Sequence, residues 1–142
     1  MPMTTEPPTL CPLMRFTDAP AAIEFLERAF GLARREVIAN PDGTIAHAEL
    51  VLGPSILMLG TDRDDPRLGR RAGTGWIYVA VADADTHCEQ ARRAGAQIIT
   101  EPFDTDYGSR DYAALDPEGN QWHFGTYQPA AAALSSASGA EA

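Results

Sequence analysis

The stretch DAPAAIEFLERAFG, residues 18–31, has the features of a short amphipathic helix with both ends marked. Asp18 is a good N-cap, and Pro20 is tolerated in the first turn because the N–H that it lacks would have no partner there. Apolar side chains recur at helical spacing up to Gly31, a residue that often ends helices. The pattern predicts one helix, and a second stretch further along the chain repeats it.

The second stretch is DADTHCEQARRAG, residues 83–95, and it begins with the same Asp-Ala pair. A constant offset of 65 aligns the two regions without a gap and gives ten identities. The identical pairs are Asp18/Asp83, Ala19/Ala84, Glu24/Glu89, Arg28/Arg93, Ala29/Ala94, Glu36/Glu101, Gly43/Gly108, Ala48/Ala113, Leu50/Leu115 and Gly60/Gly125. Self-similarity at a fixed period indicates an internal duplication.

Strand-like runs accompany both helices in the same order. Alternating or apolar runs bounded by Gly, Pro, Asn and Asp predict strands at 10–16, 33–39, 45–52 and 55–60 and again at 76–82, 96–103, 110–116 and 121–127. Each half therefore reads β-α-β-β-β, which predicts an α+β protein made of two βαβββ modules.

A chain of 142 residues is long enough for one domain with its own core. We expect a single domain at 9–128, made of modules 9–60 and 75–128 joined by a connector at 61–74, with a flexible N-terminus at 1–8 and a disordered tail at 129–142. Cys11 and Cys88 are expected to be small buried apolar residues rather than a disulfide.

The net charge of −9 disfavours binding to nucleic acid or to an anionic membrane. The N-terminal residues show neither a basic segment nor an apolar one, and no run reaches the ~18 apolar residues of a membrane span. We expect a soluble, cytoplasmic protein.

Three motifs give the chain a family resemblance: the Asp-Ala helix starts, HAEL at residues 47–50 before a glycine turn, and DPEGN at residues 116–120 before an aromatic strand. Over about residues 9–128 the sequence resembles the vicinal oxygen chelate superfamily, which includes glyoxalase I, bleomycin-resistance proteins, extradiol dioxygenases and fosfomycin-resistance enzymes. The resemblance implies that the sheet of each module curls into half of a cup, with the helices outside and a ligand inside. Many members are homodimers that pair modules across chains, and we expect a homodimer here.

The resemblance also implies where a metal would be held. Enzymes of the superfamily carry His, Glu or Gln ligands on the first and last strands of each module, and these positions fall on Cys11, Met58, Trp76 and His123. The indole nitrogen of Trp76 only donates hydrogen bonds, and the thioether of Met58 is a poor ligand for zinc, iron or magnesium. We therefore expect no metal and no other cofactor.

Trp76 and Tyr78 are two apart on one strand and share a face, so they form an aromatic wall for a ligand or, alternatively, part of the core. His123 keeps a superfamily ligand position, where it could line the cup without chemistry or act in acid–base catalysis. Arg15 is expected to pair with Glu49 inside the molecule or to bind an anionic ligand.

Further candidates lie on the third strand of each module. His47 and Glu49 share a face, and the offset of 65 matches His47 to Tyr112, so all three are candidates for the cup. Arg110 and Tyr112 share a face of their strand, and Tyr107 and Arg110 could close over the mouth. In contrast, His87 and the connector arginines Arg67, Arg70 and Arg71 are expected to be solvated.

Three classes of function follow. The first is metal-independent binding or sequestration of a small, partly aromatic or apolar ligand. The second is a lyase- or isomerase-like enzyme that uses His123, Tyr112 and Arg15. The third is a regulatory or assembly module with a vestigial cup. The sequence names neither the ligand nor the way in which the modules pair.

Overall fold

The fold consists of two modules with the same order of elements, and the computed structural model describes it for residues 7–129. The first module contains β1 (Leu13–Phe16), α1 (Ala19–Phe30), β2 (Ala33–Ala39), β3 (Ile45–Leu52) and β4 (Ser55–Thr61). The second contains β5 (Trp76–Ala80), α2 (Ala84–Arg93), β6 (Gln97–Asp104), β7 (Arg110–Leu115) and β8 (Gln121–Gly125). The predicted α+β class and the repeated βαβββ order are confirmed.

Each module forms one four-stranded sheet. The strand orders are β1-β4-β3-β2 and β5-β8-β7-β6. In both sheets the first strand of the module runs parallel to the last strand, and the other neighbours are antiparallel. The first and last strands of each module are therefore adjacent, which is what the superfamily resemblance requires of strands that carry one site.

One hydrophobic core spans both modules. Helix α1 packs on the first sheet and α2 on β6 and β7, and the two helices also contact each other. Phe30, at the end of α1, reaches into the second module, with its ring centroid 5.0 Å from that of Trp122 and 4.9 Å from that of Phe124. Because both sheets turn one face toward this core, the opposite face of each sheet is left toward solvent.

The helix ends follow the sequence signals. The carboxylate of Asp18 accepts the N–H of Ala21, and that of Asp83 accepts the N–H of Thr86. Gly31 has a φ of 82°, the left-handed conformation that ends α1 at low cost. Local capping thus fixes where both helices begin and where the first one ends.

The DPEGN turn, residues 116–120, connects the second module to the first. The buried carboxylate of Asp116 accepts N–H groups of its own turn and the indole N–H of Trp122 at 3.0 Å. Outside this turn, the carboxylate of Glu118 accepts the backbone N–H of Thr17 at 2.6 Å and that of Asp18 at 2.8 Å. The turn therefore satisfies two backbone donors at the start of α1.

The repeat shifts by one position in the third strand. Ala48 pairs with Leu59 between β3 and β4, whereas Tyr112 pairs with Phe124 between β7 and β8. Leu59 and Phe124 are separated by the full offset of 65, but Ala48 and Tyr112 are separated by only 64. Since side chains alternate between the faces of a strand, this slip reverses the faces predicted for β7.

The structure also moves some boundaries. β1 begins at Leu13 rather than residue 10, so Cys11 precedes it, and β8 ends at Gly125 rather than residue 127. The segments predicted to be flexible, 1–8 and 129–142, lie outside the described residues except for Pro7, Pro8 and Pro129. Within residues 7–129, neither helix has the length and apolar character needed to cross a membrane.

Candidate functional site

The solvent-side face of the second sheet carries three rings, here called the aromatic face: the exposed Trp76 and Tyr78 and the partly exposed His123. Trp76 is 73% exposed and Tyr78 40% exposed. His123 lies directly opposite Tyr78 in the β5–β8 pairing, and its ring centroid is 5.6 Å from that of Trp76. The alternation in β5 therefore places the two predicted aromatic residues on the solvent side of the sheet and not in the core.

A polar corner borders the aromatic face at Gly125. The hydroxyl of Tyr78 donates to the carbonyl of Tyr127 at 2.6 Å, and the hydroxyl of Ser109 donates to Asp111 at 2.5 Å. Burial, followed by the charge of Asp111, raises the pKa of Tyr78. A Cβ at Gly125 would lie 2.7 Å from the hydroxyl of Tyr78, so only glycine leaves room for this arrangement.

Tyr107 lies at the same corner, in the loop before β7. Its ring is 64% exposed, and its hydroxyl donates to Asp111 at 3.4 Å. The ring meets that of Tyr127 edge-on, with centroids 6.1 Å apart. Tyr107 is thus placed at the rim of the aromatic face, while the sequence patterns singled out neither Asp111 nor Tyr127.

The solvent-side face of the first sheet carries a hydrogen-bonded set around Glu49. Its carboxylate contacts Nε2 of His47 at 3.0 Å and a guanidinium nitrogen of Arg35 at 2.6 Å. The hydrogen bond with His47 is the main reason why the pKa of Glu49 is lowered. The predicted ion pair between Arg15 and Glu49 is wrong, because Arg35 on the neighbouring strand occupies that carboxylate.

Arg15 instead lies over β4 on the same face. Its guanidinium donates to the carbonyl of Thr61 at 3.4 Å. A Cβ at Gly60 would be 3.2 Å from that guanidinium, so the absence of a side chain at Gly60 gives Arg15 its place. Arg15 and the neighbouring Leu13 face solvent, whereas Met14 and Phe16 point into the core.

Two predicted site residues lie elsewhere because of the one-residue slip. Tyr112 is 1% exposed and faces the core, so the prediction that it lines the cup or acts in catalysis is wrong. Arg110 binds Asp85 of α2 at 3.0 Å and Asp104 at 3.1 Å, which holds its guanidinium away from the aromatic face. Asp111 takes the place on the solvent side that was expected for Tyr112.

His87 is not the solvated residue that was expected. Its Nδ1 lies 2.5 Å from the hydroxyl of Tyr112, and its Nε2 lies 3.4 Å from the carbonyl of Phe30. Burial lowers the pKa of His87, and it raises that of Tyr112. The carbonyl can only accept, so a neutral imidazole with the proton on Nε2 satisfies both partners.

The metal-ligand positions of the superfamily do not fit a hard or borderline metal ion in this chain. Cys11 is a free, partly exposed thiol before β1, and its sulfur points toward the carbonyl of Pro8 at 3.9 Å. Met58 offers a thioether and Trp76 an indole, which leaves two of the four positions with a good ligand, His123 and the thiol of Cys11 before β1. Among residues 7–129, no three His, Cys, Asp or Glu side chains are grouped closely enough to hold a metal ion.

Comparisons with known proteins agree with this architecture. Residues 12–124 match the family model described as Glyoxalase/Bleomycin resistance protein/Dioxygenase superfamily. An uncharacterized protein of Mycobacterium tuberculosis, Rv0887c, is 31% identical over 125 residues, which are 83% of this chain and 74% of that protein.

Solved structures share the fold as well. The crystal structure of TioX from Micromonospora sp. ML1 is 30% identical, with a TM-score of 0.69 over 84% of this chain and 99% of that chain. A superfamily member from Sphaerobacter thermophilus is 17% identical, with a TM-score of 0.64 over 83% and 97% of the two chains. With the paired βαβββ modules, these matches mean that the chain belongs to the glyoxalase/bleomycin resistance protein/dioxygenase superfamily.

Proposed function

We propose that this protein binds a small, partly aromatic or apolar molecule on its aromatic face, without a metal ion and as a homodimer. The observation that carries the proposal is the exposed ring of Trp76, at a position where enzymes of the superfamily hold a metal ligand. Trp76 is 73% exposed, with Tyr78 and His123 beside it. An exposed apolar surface of this kind often marks a binding site.

A flat ligand would gain affinity here in two ways. Stacking on an aromatic ring contributes about 0.5–1.5 kcal/mol beyond the burial of surface. Removing apolar surface from water adds roughly 25 cal/mol per Å². The hydroxyl of Tyr78 and the carboxylate of Asp111 lie at the edge of the rings, so polar groups are available to orient a bound molecule.

The homodimer is supported by the exposure of both sheet faces. Leu13, on β1 of the first sheet, is 58% exposed, and Ile38, on β2 of the same sheet, is 47% exposed. Within one chain the two modules meet through their helices and the core faces of their sheets, so neither solvent-side face closes on the other. A second copy could bring the first sheet of one chain over the second sheet of its partner.

The test uses the variant Trp76→Ala. Compounds that raise the melting temperature of the wild type are first identified by thermal shift, because a ligand that binds only the folded state stabilises it. Their affinities are then measured by calorimetry for wild type, Trp76→Ala and the control Leu10→Ala, which removes an exposed apolar side chain outside both sheets. We expect Trp76→Ala to weaken binding by about tenfold or more and the control to leave it unchanged.

The stability of the free protein separates a site residue from a core residue. Truncating a core tryptophan lowers the free energy of unfolding by roughly 3–5 kcal/mol. Trp76→Ala should lower it far less, because the ring of Trp76 already faces water. Unchanged ligand affinity in Trp76→Ala would contradict the proposed site. A library in which no compound shifts the melting temperature would favour a regulatory module with a vestigial cup.

A second candidate function is a lyase or isomerase of the same superfamily. The observation that favours it is the hydrogen bond between His47 and Glu49, an arrangement suited to a general base. Tyr112 has no part in such an enzyme because it is buried. Turnover of a bound compound that is lost in His47→Gln or in His123→Gln would assign this function instead.

A further inference from the structure

A cavity separate from the aromatic face lies where the connector meets the first module. It has a volume of about 330 Å³ and is lined by β1, the connector, Gly75 just before β5 and the turn before β8. We call it the junction pocket, and its charged lining consists of Arg15, Arg63, Arg71, Asp62 and Asp65. Neither Trp76, Tyr78 nor His123 is part of it.

The arginines of the junction pocket differ from most others in the chain. All 11 basic residues are arginines. Elsewhere Arg34, Arg35, Arg92 and Arg110 each hold a carboxylate oxygen at 2.6–3.0 Å. Among residues 7–129, no carboxylate oxygen lies within 4.0 Å of the guanidinium groups of the three pocket arginines.

The two aspartates of the pocket are occupied by the backbone. The carboxylate of Asp62 accepts the N–H groups of Arg71 and Ala72 at 3.0 and 3.1 Å. Burial acts to raise the pKa of Asp62, but these N–H groups outweigh it and the pKa is lowered. Asp65 accepts two N–H groups of its own loop in the same way, at 2.7 and 3.1 Å. The aspartates therefore shape the connector and form no contact ion pair with the three pocket arginines, although the charge of Arg63 helps to lower the pKa of Asp65.

The neutral polar groups are committed as well. The side-chain carbonyl of Asn120 accepts the N–H of Gly75 at 2.7 Å, and the hydroxyl of Thr74 donates to the carbonyl of Arg71 at 2.7 Å. The lining thus carries three guanidinium groups against two carboxylates, an excess of one positive charge, and an oxyanion at the guanidinium groups would neutralise that excess. The planar guanidinium also suits two-point contact with a carboxylate or a phosphate.

The pocket has an apolar part too. Leu13 is 58% exposed and Leu68 is 61% exposed, and both line the same cavity. We propose that the junction pocket binds a small organic anion, with a carboxylate or phosphate group at Arg15, Arg63 and Arg71 and a short apolar portion against Leu13 and Leu68. On a chain with a net charge of −9, such a site requires this local concentration of cations.

The test is a titration of isotope-labelled protein followed by NMR at low ionic strength. Hexanoate and hexyl phosphate are the two anionic probes, and hexanol is the neutral control of the same chain length. We expect saturable shifts of the arginine side-chain and connector signals with an anion and none with hexanol. Binding by one probe alone supports the proposal and identifies which oxyanion the pocket prefers.

Matched variants show whether the binding depends on these residues. Arg15→Gln, Arg63→Gln and Arg71→Gln each remove one pocket cation and should weaken binding by about tenfold or more. Arg70→Gln, next to the pocket, and Arg93→Gln, on α2, change the net charge equally and should leave affinity within about twofold. Melting temperatures confirm that each variant is folded.

Two outcomes would overturn the proposal: no saturable shift with either anion, or equal weakening by the pocket and control variants, which would indicate a general effect of charge. Trp76→Ala should leave the binding of hexanoate unchanged. The proposal for the junction pocket can therefore be contradicted while that for the aromatic face is supported, and the opposite result is equally possible.

Discussion

At the scale of single residues, two glycines decide what lies on the solvent-side faces. Gly60 on β4 and Gly125 on β8 occupy equivalent positions in the repeat. The first leaves space for the guanidinium of Arg15, and the second for Tyr78 and Asp111. The same position is therefore glycine in both modules, but the side chains that occupy the space beside it differ.

The partly buried imidazole of His87 makes stability depend on pH. Its pKa is lowered from 6.5 by burial, so below that pH the unfolded chain binds a proton that the folded chain resists. We expect the free energy of unfolding to fall as the pH drops below 6.5, by at most about 1.4 kcal/mol per pH unit, until the folded-state pKa is passed. Urea denaturation of wild type and His87→Gln between pH 7.5 and about 5.5 measures this, and the variant should lose the slope.

His47→Gln is the matched control, because its imidazole is on the solvent-side face. It should keep the slope of the wild type. If His87→Gln and the wild type depend on pH in the same way, other groups cause the effect.

The position of His87 could have been predicted from helical periodicity, although its polarity suggested an exposed residue. Ala84, Cys88 and Ala91 are the buried residues of α2. His87 is three positions after Ala84 and four before Ala91, which is the spacing of one helix face. Periodicity therefore predicts that His87 faces inward, although histidine is often exposed.

At the scale of elements, the duplication predicted the order of helices and strands along the chain and the helix caps correctly, because capping and alternation are local. It did not predict the register of β7. The turns that join the last two strands differ in length between the modules, so one strand slips by a residue and its two faces exchange. Tyr112 was assigned to the site, and Asp111 was missed, for this one reason.

Glu118 in the DPEGN turn is expected to stabilise the start of α1. Its carboxylate serves two backbone N–H groups at the start of α1, at 2.6 and 2.8 Å, and an amide offers only one acceptor atom. We expect Glu118→Gln to lower the free energy of unfolding by about 1 kcal/mol, as for the loss of a helix cap. Urea denaturation is the measurement.

Glu24→Gln is the control for Glu118→Gln, since Glu24 is exposed on α1 and makes no side-chain hydrogen bond to another described residue. Its effect should be a few tenths of a kcal/mol at most. Equal effects of the two variants would mean that the contact of Glu118 with α1 contributes nothing measurable.

At the scale of the whole molecule, the proposed homodimer follows from two exposed sheet faces on one chain. Sedimentation equilibrium should give twice the mass of a single chain. Leu13→Glu places a charge on the face of the first sheet and should shift the equilibrium toward monomer, because an unpaired carboxylate is costly to bury in an interface. Leu10→Glu, outside both sheets, should leave the dimer intact.

A monomer at all concentrations would contradict the dimer. It would not decide whether a ligand binds at the aromatic face. Trp76→Ala tests ligand affinity, whereas Leu13→Glu tests the mass of the assembly.

Phe30 contacts the second module, but the first module receives no equivalent ring from the second. The offset of 65 pairs Phe30 with Gly95, which has no side chain to offer. Two copies of the first module would bring two such rings to one interface, and two copies of the second would bring none. The two halves therefore share the order of their elements but contribute different side chains to the packing between them.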